Sequence, residues 1–209
     1  MLIIGAGGLA KEVLEIFHQR GELNDLYFYD DINTNAPGKL YGLFPVLKNM
    51  EEVASLFKND PRFTIGVGSP STRYSLYNQF TVPGGRMVSA ISPLAQTGHY
   101  GTSIAEGAII MAGTIITNDV KIGMGCLVNP NCTISHDTLI GDFVEISPGV
   151  QITGHCSIGN FCNIGTNATI LPAIKLGDHV TVGAGAVVTK EVGDGATVAG
   201  IPANILHRK

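Results

Sequence analysis

The sequence of 209 residues contains no apolar run long enough to span a bilayer. Its opening residues also lack the positively charged region and the small-residue cleavage site of a secretory signal, so we expect a cytoplasmic protein without a membrane span. Basic residues are few and scattered, with 13 Lys and Arg against 17 Asp and Glu and a formal net charge of −4. No patch suits a phosphate backbone, and we therefore expect no nucleic-acid partner.

Cysteine is scarce as well, and the four residues present have a spacing that resembles disulfide or zinc pairs. They are Cys126, Cys132, Cys156 and Cys162. All four share one phase of a six-residue repeat, where a thiol serves as a compact apolar filler. We predict that they are structural.

This six-residue period dominates the second half of the chain. Every sixth residue from Ile104 to Val188 is aliphatic, and four residues after each lies a small or β-branched residue, from Ala108 to Val192. An α-helix is excluded because positions i and i+6 lie about 120° out of alignment. Short strands separated by Gly, Asn and Asp turns fit the pattern. With three sides to a coil of eighteen residues, the period predicts a solenoid.

Residues 1–90 have a different pattern, in which short apolar strands alternate with helical segments. The pattern predicts strands at 2–4, 26–29 and 63–67 and helices at 8–18 and 50–57. Such alternation indicates a small parallel α/β unit, a Rossmann-like half domain. We therefore predict two domains, residues 1–90 and 91–209.

A glycine-rich loop follows the first predicted strand. Residues 5–10, Gly-Ala-Gly-Gly-Leu-Ala, satisfy the pattern G-x-G-x-x-A, and Asp30 and Asp31 follow the second strand. Glycines let the backbone approach a pyrophosphate at a helix N-terminus. A carboxylate at the end of the second strand can accept a hydrogen bond from a ribose or base. A full dinucleotide fold requires two such halves. A mononucleotide or nucleotide-sugar therefore fits better than NAD, and a tight turn without a ligand remains open.

His136 and Asp137 occupy a turn of the repeat and are the candidate chemical centre. Histidine can remove a proton from an amine or hydroxyl that attacks a thioester, and the adjacent carboxylate would fix its tautomer. Gly154 lies one coil further on, where its N–H could stabilise an oxyanion and its missing side chain leaves room. Two interpretations of His155 remain open, a contact with the thioester or coenzyme and no functional role. His179 is predicted to be a solvated surface residue.

Together these features resemble the bacterial sugar O-/N-acyltransferases of the hexapeptide-repeat superfamily, typified by sialic acid O-acetyltransferase and UDP-4-amino-sugar N-acetyltransferase. The resemblance covers nearly the whole chain. It is carried by the glycine-rich α/β domain, the uninterrupted repeat, residues 134–143, and the ending at 182–188 and 200–203. It implies a left-handed parallel β-helix with a C-terminal cap, a homotrimer, and acetyl-CoA bound in the groove between subunits.

The resemblance also implies roles for individual residues. His136 is the implied general base, Asp137 raises its basicity, and Gly154 offers the oxyanion contact. The implied coenzyme positions are Glu145, His155, Gly165, Thr166, Gly183 and Ala184. The implied nucleotide-sugar positions are Gly7, Gly8, Leu9, Asp30, Asp31 and Gly68, the last because it follows the third predicted strand.

Three positions depart from a characterised amino-sugar branch of this family. Glu145 and Leu9 stand where that branch has histidines, and Ser69 stands where asparagine is common. The acceptor can therefore differ from that of the best-known members. We expect an acetyl-CoA-dependent N-acetyltransferase that acts on a nucleotide-linked 4-amino sugar in surface-glycan biosynthesis, by direct attack. O-acetylation of a sialic acid or related sugar is the nearest alternative.

Two other classes of function fit the sequence less well. A non-catalytic nucleotide or sugar sensor would use the solenoid as a trimerisation rod, but the His-Asp pair beside a stacked glycine argues against it. A metal-assisted enzyme such as a hexapeptide carbonic anhydrase needs three converging histidines. Only His136 and His155 are candidates, and their spacing of nineteen supplies no third ligand, so we expect no metal site. His18, His99 and His207 carry no local signal.

Overall fold

The computed structural model describes residues 1–33 and 37–206, so that His207 lies outside the described residues. The chain divides into two compact units, Met1–Ala90 and Ile91–Lys209. Within the described ranges, no helix is long and apolar enough to cross a membrane.

In residues 1–33 and 37–90, the first unit forms a six-stranded sheet with three helices. Its elements are β1 (Leu2–Ile4), α1 (Gly8–Gln19), β2 (Tyr27–Tyr29), β3 (Lys39–Leu40), β4 (Phe44–Leu47), α2 (Met50–Phe57), β5 (Arg62–Ile65), α3 (Pro70–Thr81) and β6 (Arg86–Met87). The strand order is β3-β4-β2-β1-β5-β6, and every neighbouring pair is parallel except β3 with β4. The predicted α/β class is confirmed.

Strand β1 lies at the point where the strand order reverses. The chain leaves β1 for β2 on one side and returns to β5 on the other. Ligands of open α/β sheets bind in the crevice at the carboxyl ends of such strands. Helix α1 covers the sheet with an apolar face that includes Val13, Leu14 and Phe17, whose spacing matches the helical period.

This unit differs from the sequence prediction in several features, and strands β3, β4 and β6 were not among the predicted strands. Strand β5 ends at Ile65, two residues before the predicted end, because the apolar run that continues to Val67 hides the end of the strand. Helix α3 was not predicted, since it buries only Arg73 and Phe80 and presents no apolar face.

The second unit is a parallel β-helix made of two-residue strands. After β7 (Ala90–Ile91), at the boundary of the units, the strands are β8 (Gln96–Thr97), β9 (Ser103–Ile104), β10 (Ile109–Ile110), β11 (Ile115–Ile116), β12 (Lys121–Ile122), β13 (Leu127–Val128), β14 (Thr133–Ile134), β15 (Leu139–Ile140), β16 (Glu145–Ile146), β17 (Gln151–Ile152), β18 (Ser157–Ile158), β19 (Asn163–Ile164), β20 (Thr169–Ile170), β21 (Lys175–Leu176), β22 (Thr181–Val182), β23 (Val187–Val188), β24 (Thr197–Ala199) and β25 (Asn204–Ile205). The predicted left-handed parallel β-helix of hexapeptide repeats is confirmed.

Successive strands belong in turn to three sheets. The first sheet contains β10, β13, β16, β19 and β22, the second contains β11, β14, β17, β20 and β23, and the third contains β12, β15, β18 and β21. Each of these strands pairs in parallel with the strand one coil on, as Ile116 does with Ile134 and Ile134 with Ile152. The turns between the sheets therefore stack into three corners.

Two rows of repeat residues point into the β-helix: the aliphatic row from Ile104 to Val188 and the small or β-branched row from Ala108 to Val192. Every member of the two rows is buried except Ile104, which is partly buried. The prediction that the four cysteines fill this core is confirmed, because all are free thiols and all are buried. Burial raises the pKa of Cys132 and that of Cys162 to about 11.

The phase of the repeat changes at both ends of the stack. Gln96 pairs with Ile115 nineteen residues on, so one extra residue precedes β9, and the six-residue phase begins there. At the other end Thr181 pairs with Thr197, sixteen residues on, and the antiparallel pair of β24 with β25 follows.

Candidate active site

His136 and Asp137 lie in the turn between β14 and β15, at the corner where the second sheet meets the third. We call this the base corner (residues 117–119, 135–137, 153–155 and 171–173). The distance between His136 Nδ1 and Asp137 Oδ2 is 2.8 Å, and the side chains are 59% and 47% exposed. Nδ1–H donates to the carboxylate in this arrangement, which leaves the Nε2 lone pair available to accept a proton.

Gly154 lies one coil above His136 in the same corner, directly against the imidazole ring. A β-carbon at Gly154 would lie 2.6 Å from His136 Cε1 and 2.8 Å from Nε2, so any side chain here would displace the ring. Gly154 is buried, and its N–H has no hydrogen-bond partner in the described part of the chain. Such a group requires an explanation, and an oxyanion or carbonyl of a substrate would supply one.

His155 joins the same cluster from the coil above. Its Nε2 lies 3.7 Å from Asp137 Oδ2, and its ring meets the ring of His136 edge to face with centroids 5.1 Å apart. The N–H of His155 donates to the carbonyl of His136 at 2.9 Å. The carboxylate of Asp137 therefore lies close to both imidazoles. The expectation that no third metal ligand accompanies the histidines differs from this geometry, in which Asp137 is close to both.

The other five predicted coenzyme residues lie elsewhere on the β-helix. Gly165, Thr166, Gly183 and Ala184 occupy turns between the first and second sheets, which we call the glycine corner (residues 165–167 and 183–185). Glu145 opens β16 in the first sheet, opposite the base corner. One chain therefore brings His155 to His136 but not the other five coenzyme positions.

Close packing explains the glycines of this second corner. A β-carbon at Gly165 would lie 2.6 Å from the backbone nitrogen of Ala184, and one at Gly183 would lie 2.8 Å from Cβ of Ala199. The coils therefore approach each other too closely for side chains at Gly165 and Gly183. Ala184 and Thr166 are exposed.

The third corner contains a ladder of rings that the sequence did not reveal. The ring of His179 is exposed but stacks on Phe161 at 5.0 Å, and Phe161 stacks on Phe143 at 5.8 Å, both with interplanar angles of 6°. His179 is thus a surface residue, as predicted, with a packing partner. It lies at a different corner from His136.

The first unit has its own cavity, of about 470 Å³, at the carboxyl ends of β1, β2 and β5. The predicted nucleotide residues that line it are Gly7, Gly8, Leu9, Asp30 and Asp31. A β-carbon on Gly7 or Gly8 would meet nothing within 4 Å, so their backbone is open to a ligand. Gly7 is the N-cap of α1 and offers no side-chain cap, which leaves the first N–H groups of the helix available to an anion.

Gly68 is not among the described residues that line this cavity, whereas Gly66 and Val67 are. The difference follows from the earlier end of β5. A β-carbon at Gly66 would lie 2.6 Å from Cα of Ala10, so the glycine lets α1 pack closely on the sheet. Its signal in the sequence is a glycine placed directly after an apolar strand.

Tyr29 and the two acids after it form the polar side of the cavity. Burial raises the pKa of Tyr29 to about 12, helped by its hydrogen bond to Asp31 and by the charges of Asp31 and Asp30. Asp30 Oδ1 accepts from the N–H of Asn33 at 2.9 Å, and its carbonyl accepts from Lys48 Nζ at 3.0 Å. Asp30 therefore holds the loop at residues 30–33, which follows β2.

Two family models match the chain. The PglD N-terminal domain matches residues 1–80, and the bacterial transferase hexapeptide (six repeats) matches residues 101–136, 119–154, 137–172 and 155–190. A comparison with curated proteins gives no match.

Solved structures are similar over nearly the full length. The acetyltransferase domain of PglB from Neisseria gonorrhoeae, in complex with acetyl coenzyme A, is 33% identical with a TM-score of 0.89, over 98% of both chains. PerB from Caulobacter crescentus, in complex with CoA and GDP-perosamine, is 27% identical with a TM-score of 0.88, over 99% of this chain and 96% of that one. WeeI from Acinetobacter baumannii is 27% identical with a TM-score of 0.72, over 98% of both chains.

Proposed function

The chain belongs to the hexapeptide-repeat acetyltransferases that carry a PglD-type N-terminal domain, and we propose that it acetylates the 4-amino group of a nucleotide-linked sugar. Acetyl-CoA is the proposed acyl donor. The observation that carries the proposal is the hydrogen bond of His136 to Asp137 directly against Gly154, in a chain similar to PerB with its CoA and GDP-perosamine.

The reaction proposed is a direct attack of the amine on the thioester carbonyl. As the C–N bond forms, His136 Nε2 accepts a proton from the nitrogen. The resulting imidazolium is stabilised by Asp137, whose carboxylate lies 2.8 Å from Nδ1. Gly154 N–H would donate to the developing oxyanion. The C–S bond then breaks, and the proton passes from His136 to the thiolate of CoA.

The cavity of the first unit supports a nucleotide acceptor. The open N-terminus of α1 suits a diphosphate, and Asp31 lies where an acid accepts from a ribose or base. We propose the first unit for nucleotide-sugar binding, and the β-helix with its C-terminal cap for acyl transfer. Since nucleotide-sugars and acetyl-CoA are metabolites of the cytoplasm, we place the reaction there, in the supply of surface glycans.

A homotrimer would complete the coenzyme site. The base corner and the glycine corner lie apart on one chain, and both are exposed around His136 and Ala184. We propose that the base corner of one subunit meets the glycine corner of its neighbour, with acetyl-CoA between them. Light scattering should give three chains per particle. Mixed assemblies of His136→Ala and Ala184→Trp chains should regain activity that each variant lacks alone, because some grooves then have both wild-type corners.

Thiol release from acetyl-CoA tests the reaction, with UDP-, dTDP- and GDP-4-amino sugars and free sialic acid as acceptors. Turnover of an amino sugar supports the proposal, whereas turnover of sialic acid alone would favour O-acetylation. His136→Ala should remain folded and lose about 100- to 10,000-fold in rate, the usual contribution of a general base. A wild-type rate in this variant would contradict the assignment.

A further inference from the structure

We propose that His136, Asp137 and His155 bind a divalent transition-metal ion, with Zn²⁺ as the best-fitting ion, and that the bound ion switches the enzyme off. Binding depends only on the three side chains. Inhibition rests on the proposed function, in which His136 is the general base.

The three side chains already have the spacing of a metal site. Each offers one ligand atom, and the three atoms lie within 4.8 Å of one another. Asp137 Oδ2 lies 2.8 Å from His136 Nδ1 and 3.7 Å from His155 Nε2. Ligands about 2.0–2.1 Å from a tetrahedral Zn²⁺ are separated by roughly 3.3 Å, so small rotations of the side chains suffice.

The backbone holds the three ligands on neighbouring coils. The N–H of His155 donates to the carbonyl of His136, and Asp137 and His155 stack in register with φ values of 58° and 60°. A rigid parallel ladder therefore fixes the Cα positions before any ion arrives. The side chains are 47–63% exposed, which gives the ion a path and leaves a fourth position for water.

The ligand set selects the class of ion. Two imidazoles and one carboxylate suit Zn²⁺ and its neighbours in the first transition row, whereas Mg²⁺ and Ca²⁺ prefer oxygen ligands alone. In the part of the chain that the structure describes, this is the one group of three His, Cys, Asp or Glu side chains so arranged. The thiols do not compete, since all four are buried in the β-helix.

A metal ion and a general base cannot share His136. A neutral imidazole has one ring nitrogen with a free lone pair. If the ion takes Nε2, that lone pair is occupied. If the ion takes Nδ1, the proton resides on Nε2, which then cannot accept another. Either binding mode leaves His136 unable to take the proton from the amine.

Direct binding is measured first, on untagged and metal-stripped protein without substrates. Calorimetry with Zn²⁺ should give one ion per chain, and Co²⁺ should show the visible absorption of a tetrahedral site. His155→Ala should weaken Zn²⁺ binding by more than about tenfold, since loss of even an outer-shell partner costs that much. His179→Ala is the matched control, because His179 is an exposed histidine of the same β-helix at another corner. Equal affinity in wild type and His155→Ala, or an equal loss in His179→Ala, would overturn the site.

Inhibition is measured next with the best acceptor, by mass spectrometry of the acetylated sugar, because the thiol of CoA itself binds Zn²⁺. Zn²⁺ should abolish wild-type turnover and a chelator should restore it, whereas His155→Ala should require more than about tenfold more Zn²⁺ relative to its own uninhibited rate. Binding without loss of turnover, or turnover that rises with Zn²⁺, would overturn the inhibitory role. If no acceptor is turned over, the proposed function fails while the binding measurement still decides the metal site.

Discussion

The imidazole of His136 lies against the Cα of Gly154, so close that a β-carbon there would come within 2.6 Å of Cε1. The contact joins the candidate base to the residue whose N–H is unpaired within the described residues. The two candidate groups therefore lie close together at the base corner, and a side chain at residue 154 would displace the ring.

Gly154→Ala should reduce kcat/KM by about 100-fold, since a displacement of about 1 Å in a catalytic group has effects of that size. The fold should survive, because His136 is an exposed side chain that can rotate away. Steady-state kinetics and thermal unfolding measure the two effects.

Gly193→Ala is the control for this substitution. A β-carbon at Gly193 meets nothing within 4 Å. The activity and the Tm of the Gly193→Ala variant should therefore match those of the wild type. Unchanged kinetics in Gly154→Ala would show that the ring of His136 does not need its present position.

The sequence predicts the β-helix well because aliphatic residues recur at every sixth position. The stacking of Gly154 on His136 follows from the same period of eighteen. The position of His155 beside Asp137 does not, because it depends on the left-handed conformation of both turn residues, with φ near 60°. Spacing alone could not tell whether their side chains converge.

The first unit is less predictable. Its buried strands are apolar and easily recognised, but α3 buries a charged residue, Arg73, and only one large apolar residue, Phe80. Strand β5 ends two residues before its predicted end for a similar reason, since Val67 continues an apolar run beyond the strand. The separation of Glu145 and the glycine corner from His136 follows from the three-sided topology and could not be derived from a resemblance.

Gly66→Ala should raise the KM for the nucleotide-sugar and lower the Tm. A methyl group here would lie 2.6 Å from Cα of Ala10, so α1 and the glycine loop before it must move. Overpacking of this kind costs about 1–3 kcal/mol. Calorimetry with the nucleotide measures binding separately from acetyl transfer.

Gly38→Ala is the matched substitution in the same unit, since a β-carbon there meets nothing within 4 Å. It should leave nucleotide affinity and Tm unchanged. If Gly66→Ala also binds the nucleotide like the wild type, close packing of α1 on β5 is not what shapes the cavity.

The core thiols should resist alkylation in the folded protein. Burial raises the pKa of Cys132 and of Cys162 to about 11, and only the thiolate reacts. Iodoacetamide at pH 8 should leave the folded protein unmodified and label four cysteines after denaturation, as counted by mass spectrometry. Rapid labelling of the folded chain would contradict burial in a rigid core.

The same shifts predict a loss of stability in alkali. An unfolded thiol ionises near pH 8.5, whereas these two keep their protons until about pH 11. The folded state then binds more protons, and the free energy of unfolding falls as pH rises between those values. Urea unfolding at pH 8 and pH 10 measures the decrease. It should be smaller in a variant with Cys132→Val and Cys162→Val, and an equal decrease would assign the effect to other groups.

Asp60 should stabilise the first unit at neutral pH. Arg62 donates two hydrogen bonds to its carboxylate, Nε at 2.9 Å and Nη2 at 2.8 Å, and the amino group of Met1 lies 2.9 Å from Oδ2. The Arg62 guanidinium first, and the Met1 amino group after it, hold the pKa of Asp60 well below its usual range, against the opposing effect of burial.

Because the folded pKa is lowered, this contribution is present above the unfolded value near 3.9 and is lost as pH falls further towards the folded value. Asp60→Asn should therefore lower the free energy of unfolding at pH 7 by up to about 1 kcal/mol, the scale of a partly exposed ion pair. Glu22→Gln removes the exposed pair with Arg20 and should change little. Urea unfolding at pH 7 and pH 3 identifies the cause. If the difference in the free energy of unfolding between wild type and Asp60→Asn shrinks at pH 3, it reflects the charge of Asp60. A difference that persists at pH 3 would reflect packing.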